Sequence, residues 1–166
     1  MGLAVMRRLV ASGKQVRMVN RSGRGQVPAG VEVTSADVTD PAAARQAFEG
    51  AAVVFHCAVG PYGRWPQTLP PIMEGIIQGA AGVGAKLVYG DNLYAYGPVE
   101  GPLTEDLPYR PAGPNATVRA RLATTLIEAH PKGSVPAAMG RATDSYGPHV
   151  HLANVGAGGF GRSGAG

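Results

Sequence analysis

Short apolar segments with two different periods alternate along this chain of 166 residues. Leu3, Met6 and Leu9 recur at the spacing of a helix, whereas the apolar run at 16–19 predicts a short strand. Asp40 and Pro41 predict the start of a second helix, because Asp is a favoured N-cap and Pro is tolerated at the first helical position. Strands that alternate with helices favour right-handed crossovers and a mostly parallel sheet with helices on both faces.

The other elements are predicted from apolar spacing and from turn residues. The nearly continuous apolar run at 51–59 predicts a strand that is buried on both faces. The remaining predictions are strands at 31–33, 86–89 and 134–139, a helix at 71–83, and a helix that contains Val118, Leu122 and Leu126. The predicted order is helix, strand, strand, helix, strand, helix, strand, helix, strand. An opening helix is unusual in this architecture, whose first element is ordinarily the central strand.

The composition is that of a globular domain and excludes several classes of protein. Hydrophobic residues make up 45% of the chain, which at this length is enough for one buried core. The net charge of +4 comes from scattered basic residues, so nucleic acid is not an expected partner. One cysteine, Cys57, excludes a disulfide framework. No apolar run approaches the roughly 20 residues of a membrane span and no signal peptide is recognised, so we expect a cytoplasmic protein without membrane contact.

Four segments carry a more specific signal when they are taken in order. They are 16–22 (VRMVNRS), 36–40 (ADVTD), 86–98 (KLVYGDNLYAYGP) and 141–148 (RATDSYGP). Together they resemble the extended short-chain dehydrogenases, the nucleotide-sugar epimerase/dehydratase group. The resemblance implies a Rossmann-like, doubly wound parallel sheet that lacks the family's first strand and its C-terminal substrate lobe. The expected organisation is an incomplete NAD(P)-binding domain at 1–148 and a frayed Gly-rich tail at 149–166, a chain truncated at both ends.

The resemblance implies cofactor contacts at the start of the chain and after its first strand. Gly2 aligns with the last glycine of the family's GxxGxxG turn, which binds pyrophosphate. Asn20, Arg21 and Ser22 align with the loop that contacts the adenosine ribose, and Arg24 follows. An acidic residue at this place suits NAD, whereas a guanidinium suits the phosphate of NADP, so we expect NADP in preference to NAD. The alternative is a solvated turn whose arginines contact nothing.

Two further loops match cofactor-binding positions of the family. Asp37 is expected to contact the adenine amino group and Val38 to pack on the ring; the alternative for Asp37 is that it only caps its own turn. Cys57 and Ala58 are expected to pass beneath the ribose and pyrophosphate. We expect Cys57 to be a small packing residue rather than a nucleophile, although His56 is its neighbour in sequence.

The catalytic residues of the family are not found at the usual places. The family uses Ser or Thr after a central strand and a YxxxK pair on the next helix, where Lys lowers the pKa of Tyr. Here Asn92 takes the Ser/Thr position, Asn115 the Tyr position and Arg119 the Lys position. Asn92 is able to bond a substrate oxygen and Arg119 a ribose or phosphate, but Asn115 is no acid or base. A register shift to Thr117 and Arg121 gives no better chemistry.

A few other polar residues follow the same strand or lie near the end of the chain. Tyr94 is a conceivable proton donor, with packing of its loop as the alternative, and Asp91 is a plausible polar contact. Asp144 stands where the family has Asn, within the segment at 141–148. His149 and His151 lack partner ligands, so no metal site is expected.

Two functional hypotheses stay open at this point. The first is a piece of an NAD(P)-dependent epimerase/dehydratase-like oxidoreductase that acts on a sugar nucleotide or a small carbonyl compound. The second is a non-catalytic NAD(P)-binding or redox-sensing module, which the absence of YxxxK favours. The resemblance also implies a homodimer, because helices of related enzymes often form a four-helix interface.

Overall fold

A computed structural model describes residues 1–130 and 134–143 of the chain. Its helices and strands, in chain order, are α1 (Gly2–Ala11), β1 (Arg17–Asn20), β2 (Glu32–Ser35), α2 (Pro41–Ala47), β3 (Val53–His56), α3 (Trp65–Gly82), β4 (Lys86–Asn92), α4 (Pro114–Ala129) and β5 (Ala137–Ala142). Two 3₁₀ turns, Tyr62–Arg64 and Tyr94–Tyr96, precede α3 and follow β4. The predicted order of helices and strands is confirmed. The predictions for Asp144, His149, His151 and the tail at 149–166 fall outside the described residues.

All strand pairs are parallel, as the alternation of strands and helices predicts. β1 pairs with β2, and β4 pairs with β3 on one side and β5 on the other. Within the described residues these pairs form two sheets of two and three strands, and no ladder joins β1 to β3. The carboxyl ends of the strands, where open α/β folds bind their ligands, therefore lie along the edges of two separate parallel sheets.

The prediction that the third strand is buried on both faces is wrong. Val54 and His56 of β3 are buried, but Val53 and Phe55 on the opposite face are each 40% exposed. β3 is the outer strand of its sheet, and only its inner face packs into the core with β4. A continuous apolar run cannot distinguish a central strand from an outer strand with one apolar face open.

Several boundaries differ from those predicted. The helix expected at 71–83 begins at Trp65, because Trp65 and Leu69 are buried in the core and extend its apolar face upstream of Pro70 and Pro71. The strand expected at 86–89 continues to Asn92, with alternating burial along its length. The strand expected at 134–139 lies at Ala137–Ala142. No helix in the described ranges is long and apolar enough to cross a membrane.

Local signals at the start of α2 act as predicted. The Asp40 carboxylate accepts a hydrogen bond from the backbone N–H of Ala42 at 2.9 Å, and Pro41 is the first helical residue. This cap satisfies one of the N–H groups that a helix start otherwise leaves unpaired. It fixes the direction in which α2 leaves the loop after β2.

α3 supplies much of the core, and its glycines let it approach α2 closely. Its buried apolar side chains are Trp65, Leu69, Met73, Ile76, Ile77 and Ala80. A Cβ at Gly75 would lie 2.0 Å from the carbonyl oxygen of Val38, and a Cβ at Gly79 would lie 2.8 Å from Cβ of Ala44. The loop after β2 and the helix α2 therefore rest directly on the backbone of α3.

Replacing Gly75 by Ala tests this close approach. The added methyl group meets a backbone carbonyl that has no room to move, so we expect the free energy of unfolding to fall by about 2 kcal/mol or more. Gly82→Ala is the matched control, because its Cβ would meet only the flexible side chain of Arg45, at 3.0 Å. We expect that variant to stay within about 1 kcal/mol of the parent in urea titrations. Equal losses in the two variants would contradict the packing described.

Candidate functional site

The loops after β1 and β2 are joined to each other by hydrogen bonds. Ala36 N–H donates to the carbonyl oxygen of Asn20 at 3.0 Å, and the Ser35 hydroxyl donates to that of Arg21 at 2.9 Å. The Asn20 side chain organises the turn, since its Oδ1 accepts from Ser22 Oγ at 2.9 Å and its Nδ2 donates to the Arg24 carbonyl at 2.9 Å. The turn leaves the Arg21 side chain exposed to solvent.

Asp37 and Val38 follow β2 in the same region. The Asp37 carboxylate accepts hydrogen bonds from Thr39 N–H at 3.0 Å and from Thr39 Oγ1 at 2.8 Å. These two hydrogen bonds lower the pKa of Asp37 below its ordinary value. The contact that the structure describes for this carboxylate is thus its own turn, one of the two roles expected for it. Val38, in the loop after β2, packs against the core where this loop rests on α3.

The start of α1 lies beside the loop after β3. A Cβ built on Gly2 would be 3.4 Å from the Cβ of Cys57, so these two predicted cofactor residues come together. Cys57 is partly buried, and this burial raises the pKa of its thiol. A thiol with a raised pKa is a poor nucleophile at neutral pH, which agrees with the packing role expected for it.

A buried carboxylate lies at the centre of a charged cluster near the end of β4. Asp91 is 2% exposed. Its Oδ1 lies 3.3 Å from Nη1 of Arg119 on α4, and its Oδ2 lies 3.4 Å from Nε of Arg141 on β5. Each carboxylate oxygen thus faces one guanidinium, which offsets the cost of burying the charge. The sequence indicated Asp91 only as a polar contact and gave no sign of Arg141 as its partner.

Aromatic side chains surround both arginines. Arg119 Nη1 donates to the Tyr89 hydroxyl at 2.6 Å, and the guanidinium stacks on the Trp65 ring at 4.4 Å from its centroid. Arg141 donates to the hydroxyls of Tyr96 and Tyr109. Burial raises the pKa of Tyr89 to about 12, and the negative charge of Asp91 adds to this effect. The Tyr89 hydroxyl is therefore a neutral hydrogen-bonding group at physiological pH.

His56, at the end of β3, belongs to the same cluster. Its ring stacks on that of Tyr89, with centroids 4.9 Å apart. Burial lowers the pKa of His56 to about 4, and the positive charge of Arg119 adds to this effect. Nδ1 of His56 has no hydrogen-bond partner among the residues that the structure describes. The imidazole is consequently neutral at pH 7.

A cleft of about 750 Å³ opens between α3, α4 and the two 3₁₀ turns. Its polar lining residues are Tyr62, Gln67, Tyr94 and Asn115, and the others are Gly, Pro, Leu and Ala. Among the residues that the structure describes, none with a charged side chain lines this cleft. Asn115 Nδ2 donates to the Tyr62 carbonyl oxygen at 3.1 Å and so bridges two walls of the cleft. Tyr62 was not recognised in the sequence, because no local pattern places its turn against the start of α4.

The structure brings only some of the predicted catalytic residues together. Tyr94 and Asn115 line the cleft, whereas the Arg119 guanidinium is buried beneath Trp65 beside Asp91. Asn92 ends β4, and its Oδ1 accepts from Tyr94 N–H at 3.2 Å, so this side chain holds the start of the turn that carries Tyr94.

Comparison with known families agrees with the fold described above. A family model described as NAD(P)H-binding matches residues 1–128, and the chain belongs to this family of NAD(P)H-binding proteins. The predicted resemblance to the extended short-chain dehydrogenase group and the predicted NAD(P)-binding domain are confirmed. The preference for NADP over NAD stays a prediction. No curated protein matches the chain.

Several solved structures share the fold. WbmG of Bordetella bronchiseptica, in complex with NAD and UDP, is 19% identical with a TM-score of 0.75, covering 91% of this chain and 52% of that chain. UDP-glucose 4-epimerase from Brucella ovis, in complex with NAD, is 15% identical with a TM-score of 0.77, covering 91% and 55%. The chain thus spans about half the length of the solved structures it matches. Because the sequence identities are this low, these structures establish the fold alone. They confirm the predicted Rossmann-like fold.

The buried His56 predicts a pH dependence of stability. Because its pKa is about 4 in the folded chain and 6.5 ordinarily, the unfolded chain takes up a proton between these values and the folded chain does not. The free energy of unfolding should therefore fall as the pH drops from 6.5 towards 4, by roughly 2 to 3 kcal/mol from this residue.

His56→Phe keeps a ring to stack on Tyr89 and removes the titration. We expect urea titrations at pH 7 and pH 4.5 to show a smaller loss of stability for this variant than for the parent chain. The comparison at pH 7, where position 56 is neutral in both chains, separates the titration from any change in packing. Identical pH dependence in both chains would show that His56 takes up its proton at the same pH in the folded and the unfolded chain.

Proposed function

We propose that this protein is an NAD(P)H-dependent oxidoreductase that prefers NADP and acts on a small carbonyl compound or a sugar nucleotide. The observation that carries the proposal is the hydrogen-bonded pairing of the predicted cofactor loops after β1 and β2 at the carboxyl ends of these parallel strands, in a chain of the NAD(P)H-binding family. Ligands of open α/β folds bind at this edge. The solved structures that share the fold include epimerases in complex with NAD, which supports a dehydrogenase-type reaction.

The proposed cofactor runs from the loops after β1 and β2 towards the end of β4. Arg21 would hold the 2′-phosphate, beside Asn20 and Ser22, which shape its turn. Asp37 and Val38 would lie at the adenine. Gly2, with Cys57 and Ala58, would lie at the pyrophosphate and ribose, where a glycine at a helix start permits close approach of backbone N–H groups.

The cleft between α3 and α4 is the proposed place of the substrate. Its phenol and amide side chains are suited to bonding hydroxyl and carbonyl oxygens of an uncharged group. Asn92 and Tyr94 would contact the reacting oxygen. Arg119 would not contact the substrate, and would support the site through its buried partners Tyr89, Asp91 and Trp65. A homodimer built from surface helices stays a prediction from the family resemblance.

A non-catalytic NAD(P)-binding module is the second candidate, and one observation favours it. The guanidinium at the family's Lys position is engaged by Asp91, Tyr89 and Trp65. The residue at the Tyr position is Asn115, which bonds a backbone carbonyl. Neither is arranged as the family's proton relay.

The NADP preference is tested with Arg21→Ser. The variant loses a charge-assisted contact to the phosphate, so we expect the Kd of NADPH to rise about tenfold while the Kd of NADH stays unchanged. Arg121→Ser, which removes an exposed arginine on α4, is the control and should leave both constants as they are. The Kd values are measured by the change in nicotinamide fluorescence on binding. A parallel rise for NADH and NADPH would remove the case for a phosphate contact.

Turnover separates the two candidate functions. If Asn92 Nδ2 donates to a substrate oxygen, both Asn92→Ala and Asn92→Asp should lower kcat by about a hundredfold and leave the Kd of NADPH within about twofold. Asp keeps an acceptor for Tyr94 N–H, so loss of turnover in the Ala variant alone would mean that Asn92 only supports the turn. The measurement is the absorbance change at 340 nm, as NADPH is oxidised by a panel of carbonyl compounds or NADP⁺ is reduced by sugar nucleotides. Binding of NADPH without turnover of any member would favour the module.

A further inference from the structure

The two arginines that neutralise Asp91 lie on different elements and hold different parts of the chain. Arg119 comes from α4, is 8% exposed and stacks on Trp65, the first residue of α3. Arg141 comes from β5, and its guanidinium lies over the rings of both Tyr96 and Tyr109, 5.0 and 5.1 Å from their centroids. The one carboxylate therefore connects β4 to α3, α4, β5 and the long loop between β4 and α4.

Each segment held in this way continues directly into a wall of the cleft. Trp65 precedes Pro66 and Gln67, which line one wall. Tyr96 precedes the lining residue Gly97, and Tyr109 lies in the loop that ends at Ala112 and Gly113, which are also lining residues. α4, which carries Arg119, contributes its first three residues, 114–116, to the lining.

We propose that Asp91 is the positioning residue of the cleft: it fixes the starts of α3 and α4 through Arg119, and the loop between β4 and α4 through Arg141. The idea that this cleft receives a substrate rests on the proposed function. The positioning of the cleft walls by Asp91 does not depend on that function. Asp91 does not line the cleft, so it acts only through the groups it holds.

The charge of Asp91 is essential to this role. Two guanidinium groups approach one buried carboxylate from different elements, and without it they would face each other with no compensating charge. Two further contacts hold the loop: Arg110 N–H donates to the Ala95 carbonyl at 3.1 Å, and the Tyr109 ring meets the Tyr96 ring edge-on, with centroids 5.5 Å apart. Loss of the Arg141 contacts should therefore loosen the exposed stretch at 98–109 while leaving its ends in place.

The chain offers two local reporters of this arrangement. Trp65 is its one tryptophan, so the intrinsic indole fluorescence comes from the residue next to the cleft wall formed by Pro66 and Gln67. Glu105 is an exposed residue of the loop, after which the glutamate-specific protease Glu-C cleaves. Glu74, exposed on α3, is a second cleavage site that opens only if the helix itself unfolds.

The test compares Asp91→Asn with Glu32→Gln, which neutralises the carboxylate of the exposed Arg17–Glu32 pair. In Asp91→Asn we expect Glu-C cleavage after Glu105 to accelerate at least about fivefold relative to Glu74, and acrylamide quenching of Trp65 to rise about twofold. Glu32→Gln should change neither. Tyr109→Phe removes a single hydroxyl from Arg141, and it should accelerate the cleavage after Glu105 without altering Trp65 quenching. This variant keeps the test decisive if Asp91→Asn does not fold.

Two results would overturn the proposal. One is an unchanged cleavage rate after Glu105 in both Asp91→Asn and Tyr109→Phe. The other is an equal acceleration after Glu105 and Glu74, which would mean that Asp91 stabilises the whole fold rather than the cleft.

Where turnover is found, Asp91→Asn should raise the substrate KM about tenfold, while kcat and the Kd of NADPH stay within about threefold of the parent values. A lack of turnover would defeat the proposed function and leave the protease and fluorescence results standing.

Discussion

The burial of α3 between α2 and α4 is the interaction on which the rest of the structure depends. Its apolar side chains belong to the core that also contains Ala44 and Phe48 on one side and Leu122 and Leu126 on the other. Each such side chain contributes roughly 1.5 to 3 kcal/mol when it leaves water. The same helix supports both candidate binding regions. Its middle bears the loop after β2 through Gly75, and its first residue covers Arg119.

The division of the sheet limits how the cofactor side and the cleft communicate. Because no ladder joins β1 to β3 in the described ranges, strand pairing does not connect the two sheets, although Arg17 of β1 donates to the carbonyl oxygens of Ala47 and Glu49 ahead of β3. The close contact of Gly2 with Cys57 links α1 to the three-stranded sheet on the predicted cofactor side. The cleft also gains rigidity from contacts on its own side of the molecule. The Asp91 cluster, which spans β4, α4 and β5, is the structure that supplies it.

Local sequence signals predicted the elements well, and long-range contacts explain what they missed. Helical spacing found α1 and α4, and the Asp40 cap was correct to the residue. The start of α3 was predicted too late because Pro70 and Pro71 interrupt the helical pattern. Trp65, at the true start, packs against Arg119, which is 54 positions later in the chain and gives no local signal. The outer position of β3 depends on which strands pair, and one apolar run contains no information about pairing. Arg141 lies 50 residues from Asp91, and nothing in either segment indicates the other.

The position of Arg119 has a consequence for any reaction in the cleft. A lysine at this position would present one compact charge, whereas the planar guanidinium satisfies Asp91 and Tyr89 and stacks on Trp65 at the same time. Its guanidinium is thereby directed at buried partners, and Arg119 is not among the residues that line the cleft. Asn115 has no proton to exchange at neutral pH. Among the residues that line the cleft in the described part of the chain, the phenols Tyr62 and Tyr94 are the side chains able to give a proton to a substrate oxygen. For the enzyme proposed above, proton transfer would therefore fall to one of these two phenols rather than to the family's Tyr position.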